Sequence, residues 1–95
     1  MIAYQYTLLA AEGRAEELQA ALQALARALR SIGSCHGVAL YRDQANPGRF
    51  VFREEWESIE AHDAGAADID KATMAAVFGA VAGKPERLIL DALDA

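Results

Sequence analysis

The chain has 95 residues, a length that suits one domain spanning 1–95. With 54% hydrophobic and 24% charged residues it is too apolar to stay disordered. A net charge of -5, with the nine Lys and Arg scattered, argues against a nucleic-acid partner, and the longest uncharged run (72–83) is too short to span a membrane.

Residues 2–9 read as a strand. Ile2, Tyr4, Tyr6 and Leu8 alternate with Ala3, Gln5 and Thr7, so a period of two puts the large side chains on one face. Ala11, Glu12 and Gly13 break that pattern. Residues 14–32 then carry Leu18, Leu22, Leu25, Leu29 and Ile32 at helical spacing, one apolar stripe on an alanine-rich helix. Glu16 and Glu17 at its start and Arg30 at its end suit the helix dipole, and Gly33 is the expected C-cap.

A second strand is expected over 35–43 and a third over 49–57, joined by Gln44-Ala45-Asn46-Pro47-Gly48, where Gly48 is expected to supply a positive φ. Phe50, Phe52, Glu54 and Trp56 share one face of the third strand. Ser58 can cap a short helix to residue 65, a further helix is expected over 68–81, and Gly83-Lys84-Pro85 ends it. Residues 86–93 form the last strand.

The order is βαββαβ, with the second helical segment split. The fold class expected is α+β, ferredoxin-like, with all helices on one face of a four-stranded antiparallel sheet. Leu88, Leu90 and Ala92 lie on one face of the last strand, Ile89 and Leu93 on the other. An apolar second face needs cover, so the chain is expected to pair with a copy of itself, sheet on sheet, around an apolar pocket.

No Gly-rich phosphate loop, dinucleotide fingerprint or Ser/His/Asp triad signature is present. His36 and His62 are too far apart to form a metal spacing, so no metal site is expected. Cys35, the only cysteine, cannot close an internal disulfide and reads as a small buried residue. Together with the lack of a basic-then-apolar leader, it points to the cytoplasm.

The residues that bear chemistry cluster on the third strand and just after it. Glu54 between aromatics would be desolvated, which raises its pKa and suits a general base; the alternative is a structural carboxylate. His62, six residues past Trp56, could take a proton near neutral pH or sit in solvent. The Trp56 ring could stack on a flat ligand and donate its N–H, or simply pack. Tyr4 and Tyr6 could aim hydroxyls into a pocket beside Phe52, or lie in the core.

The stretch from Cys35 through Gly37 to Asp43, the hairpin residues Asn46-Pro47-Gly48-Arg49-Phe50, and Glu54-Glu55-Trp56-Glu57-Ser58 together resemble the antibiotic biosynthesis monooxygenase family. The resemblance implies a dimeric α+β barrel. It also implies an oxygenase that uses O₂ on a quinol or polyketide-like phenol with no cofactor, and Cys35, Glu54 and Trp56 fall on positions frequent in the family. The catalytic residues expected in this chain are Glu54, Trp56 and His62, with Tyr4, Tyr6 and Phe52 against a small aromatic substrate. The chain departs from the family at Gly65 and Asp70, where many members carry histidines. It also lacks the Trp and His that the haem-degrading members carry on the helix, so haem degradation is not expected. The alternatives are a non-enzymatic or ligand-binding protein of the same fold, or an isomerase or cyclase on it.

Overall fold

The computed structural model describes residues 1–95. The elements run β1 (Ile2–Leu9), α1 (Ala15–Arg30), β2 (Cys35–Arg42), β3 (Arg49–Trp56), α2 (Ile59–Ala66), α3 (Lys71–Ala80) and β4 (Glu86–Asp91). The strands form one antiparallel sheet in the order β2-β3-β1-β4. This is the ferredoxin-like βαββαβ arrangement, with the second helical segment divided in two as its sequence suggests.

The alternation read from β1 and β3 sets the two faces. Tyr4 pairs with Glu54, Tyr6 with Phe52 and Leu8 with Phe50, so these side chains share the face beneath the helices. Leu18, Leu22, Leu25 and Leu29 of α1 are buried against them, and Val77 and Ala80 of α3 close the same core. Burial of that stripe, more than intrinsic propensity, is what fixes α1 in place.

Capping accounts for where the helices begin. The Ser58 Oγ accepts the Ala61 N–H at 3.1 Å and starts α2. Asp70 accepts the Ala72 N–H at 2.8 Å, so α3 starts at Lys71 rather than at 68. Two glycine expectations are corrected. Positive φ occurs at Gly13 and Gly83, not at Gly33 or Gly48. α1 ends on Ser31 in the right-handed helical region, and the β2–β3 turn is held by side chains instead. There Asp43 Oδ1 accepts the Ala45 N–H at 2.8 Å and Asn46 Oδ1 accepts the Gly48 N–H at 3.2 Å.

The far face of the sheet carries no helix. Tyr41, Leu88 and Leu90 are 56%, 54% and 38% exposed there, beside Leu9 and the half-buried Val51. No helix is long and apolar enough to cross a membrane.

Candidate active site

A cavity of about 670 Å³ lies between the sheet and the helical layer. Its floor is Tyr6, Leu8, Phe52 and Glu54, and α1 contributes Leu22, Leu25 and Leu29. α2 and α3 add His62, Met74, Val77 and Phe78, among others. Phe78, Lys84 and Arg87 are exposed lining residues and mark the mouth. The pocket expected between two copies is therefore found within one chain, on the helix side. The far face of the sheet, where Leu9, Tyr41, Leu88 and Leu90 lie among polar neighbours such as Gln5 and Arg53, is a separate surface.

Glu54 is the acidic group in this wall and is 6% exposed. Burial pushes its pKa up, opposed by the hydrogen bond from Trp56 and by the charge of His62. The Trp56 Nε1–H donates to Glu54 Oε1 at 2.9 Å. That bond orients the carboxylate by one oxygen. No protein donor reaches Oε2, and no buried side-chain oxygen lacks a partner, so Oε2 is open toward the cavity.

His62 lies over this pair. Its ring stacks on Tyr4 at 3.7 Å between centroids with 10° between planes, and meets Trp56 edge-on at 5.4 Å. Nδ1 is 3.0 Å from Asp63 Oδ1, and Nε2 is 3.9 Å from Glu54 Oε1, beyond hydrogen-bond reach. The two ring nitrogens face two carboxylates, Asp63 and Glu54. His62 is thus packed into the site, not left in solvent.

The sequence-derived residues divide into two groups. Glu54, His62, Tyr6 and Phe52 line the cavity. Trp56 and Tyr4 do not: Trp56 is 0% exposed and Tyr4 only 2%, the first behind Glu54 and the second beneath His62. Stacking of Trp56 on a ligand is not what this placement offers, because its ring is enclosed by protein. Burial raises the Tyr4 hydroxyl, and the nearby Asp63 charge adds to the effect. Burial and then the Glu54 charge push Tyr6 up to about 12, so both tyrosines are hydrogen-bond donors at neutral pH. The Cys35 thiol is raised by burial as well, which suits packing over nucleophilic attack.

One close approach holds Trp56 where it is. A Cβ added to Gly65 would sit 2.6 Å from Trp56 Cζ3 and 2.7 Å from Cη2. Only glycine lets α2 come this near the indole. The sequence reading passed over Lys84, Arg87 and Asp63. Arg87 was detectable, since period two places it on the same face as Ile89, among apolar neighbours. No group of three His, Cys, Asp or Glu side chains is placed to hold a metal ion.

No curated protein matches the chain. Solved structures do. A Nitrosomonas europaea protein bearing the antibiotic biosynthesis monooxygenase name superposes with a TM-score of 0.89 at 15% identity, covering 99% of this chain and 100% of that one. A Deinococcus radiodurans protein of the same name gives 0.81 at 22% identity, over 100% and 95%. A third, from Bordetella bronchiseptica, gives 0.82 at 21%, over 97% and 96%. At these identities the likeness establishes the fold. The sequence model for antibiotic biosynthesis monooxygenases covers residues 1–65, from β1 through the residue that abuts Trp56. By that match over most of its length, this chain belongs to the antibiotic biosynthesis monooxygenase family.

Proposed function

We propose that the protein is a cofactor-independent monooxygenase of the cytoplasm that oxidises an electron-rich aromatic, a quinol or polyketide-like phenol, with O₂. The observation that carries this reading is Glu54: a buried carboxylate, fixed by Trp56 through one oxygen, with the other open to an apolar cavity. A carboxylate with a raised pKa is a stronger base than one in water, and a phenol held against it loses its proton more readily.

The electrons come from the substrate. A deprotonated electron-rich aromatic can reduce O₂ directly. One oxygen atom enters the product, and the other leaves as water with two hydrogens from the substrate. The protein's tasks are then to bind, deprotonate and exclude water. The leucines, Phe52 and Met74 supply the dry walls. Glu54 takes the proton at Oε2; His62, which lines the same cavity, is the alternative acceptor. Tyr6 donates to a substrate oxygen. Trp56 is a positioning residue that acts through Glu54, and Tyr4 holds the His62 ring in plane.

The chain works as a homodimer in this reading, joined through the open sheet face. Support comes from the exposed Leu9, Tyr41, Leu88 and Leu90, which a second copy would cover.

The test is oxygen uptake by pure protein with a hydroquinone or an anthrone as substrate. Wild type is expected to consume O₂ and Glu54→Gln to lose at least 100-fold of the rate, roughly the scale of a general base. Binding of the aromatic without any uptake supports the ligand-binding alternative, and product formed without oxygen supports an isomerase or cyclase.

A further inference from the structure

The covered part of the cavity and its mouth differ in charge. Glu54 and His62 lie in its covered part, whereas Lys84 and Arg87 are exposed lining residues. On the sheet, Arg87 pairs with Tyr6 across β1, and Tyr6 with Phe52, while Glu54 sits one step along, opposite Tyr4. Two strand spacings and one two-residue step put the Glu54 and Arg87 Cα atoms about 12 Å apart.

Neither cation sits in an ion pair within the chain, while Arg87 lies against the Tyr4 ring and beside the Tyr6 hydroxyl. The ion pairs involve Arg14, His36, Arg49 and His62, and none includes Lys84 or Arg87. The nearest acid in sequence, Glu86, pairs with Thr7 and so lies on the opposite face of β4. The Arg87 guanidinium carbon lies 6.0 Å from the centre of the Tyr4 ring, so the charged group itself stands over the aromatic floor, on an exposed residue at the mouth. A chain of net charge -5 that keeps two cations outside any ion pair at the rim of a large, mostly apolar cavity is built to draw in a negative group.

Resting on the oxygenase reading for the covered part of the cavity, we infer that the mouth is an anion subsite, where Lys84 and Arg87 hold a carboxylate carried by the aromatic substrate. The substrate is then an aromatic acid of more than one ring, with its oxidisable hydroxyl at the end far from the acid. The carboxylate sets direction: it turns the hydroxyl toward Glu54 and keeps the acid group away from that carboxylate, where like charges would repel. A neutral aromatic of the same shape lacks this orientation and the attraction that goes with it.

The test is binding, which does not depend on turnover. The probes are 6-hydroxy-2-naphthoate and its neutral isostere 6-hydroxy-2-naphthamide, titrated by fluorescence without oxygen. Wild type is expected to bind the acid about tenfold more tightly than the amide at low salt. That preference should shrink in about 0.5 M NaCl. In a Lys84→Gln, Arg87→Gln double variant, acid and amide should bind equally, with the amide's affinity and the melting temperature unchanged. Equal binding of acid and amide to wild type overturns the inference, as does a preference that survives in the double variant or a failure to bind either probe. An acid preference with no oxygen uptake on any electron-rich aromatic refutes the oxygenase reading and leaves the subsite standing.

Discussion

Replacing Gly65 with alanine adds a single methyl group, and its consequence can be worked from the geometry. The new Cβ would lie 2.6 Å from Trp56 Cζ3 and 3.2 Å from Ile32 Cγ2, against the 3.4 Å at which ordinary contact begins. Something must move by 3.4 − 2.6 = 0.8 Å. The obstacle is the rigid, fully buried edge of an indole, so the shift falls on α2 or on the whole ring. Overpacking of this kind costs about 1–3 kcal/mol, and the helix gains up to about 1 kcal/mol from losing a glycine. A net loss of about 1–2 kcal/mol lowers the Tm of a chain this size by roughly 5–15 °C.

Gly79→Ala is the matched control. It adds the same methyl on α3, where nothing lies within 4 Å and the residue is exposed. Without a clash, the change should raise stability by about 0.5 kcal/mol. Calorimetry on the two variants should therefore give shifts of opposite sign. Gly65→Ala should also reduce oxygen uptake well below the melting range, because the methyl displaces either the Trp56 donor 2.9 Å from Glu54 or the helix that carries His62. If both variants are stabilised alike, Trp56 is not pinned by α2, and the account of how Glu54 is oriented fails.

Three further outcomes follow from the same site. Glu54 has a pKa above its ordinary 4.5 in the folded chain, so between 4.5 and that raised value the native state holds a proton the unfolded chain has lost, and stability falls as pH rises through this window. Glu54→Gln keeps an oxygen for the Trp56 N–H but removes this titration. Its stability relative to wild type should therefore climb with pH above about 4.5 and then level off, and a difference that stays flat from acid to neutral pH would refute the burial argument. His62→Ala removes the ring stacked on Tyr4 and the second proton acceptor, so urea titration should show a loss of about 1 kcal/mol, and the oxidation rate should drop by 10- to 100-fold or so. Leu88→Glu changes a side chain that is 54% exposed in the single chain, so it should leave the monomer fold within about 0.5 kcal/mol while sedimentation shows the proposed dimer of the wild type dissociating; a monomeric wild type would refute the pairing, and an unaltered dimer would place the interface elsewhere.

Most of the fold is legible in side-chain periodicity. β1 and β3 alternate cleanly because one face is buried and the other is not, and the α1 stripe repeats because it lies along that same buried face. Glu54 was detectable for the same reason, as a carboxylate in step with Phe50, Phe52 and Trp56. Periodicity assigns a face but says nothing of depth along it. Trp56 and Glu54 share a face, yet one is sealed and the other opens on the cavity, and the difference is made by Gly65 on a different element. His62 gave no sign that it would be covered, since its packing depends on Tyr4, nearly sixty residues earlier in sequence. The turns misled because Asn46 and Asp43 perform with side-chain oxygens what Gly48 was expected to do with its backbone.

The walls of the cavity all come from one polypeptide, from Tyr6 through Arg87. If a second copy adds no side chain to those walls, each subunit of a pair is catalytically self-sufficient. In a mixed population where one copy carries an inactivating change at Glu54, hybrids should run at half speed, their rate the plain sum of two unlinked halves. Assembly would in that case serve persistence and solubility by hiding a greasy sheet, leaving the reaction itself indifferent to the neighbour.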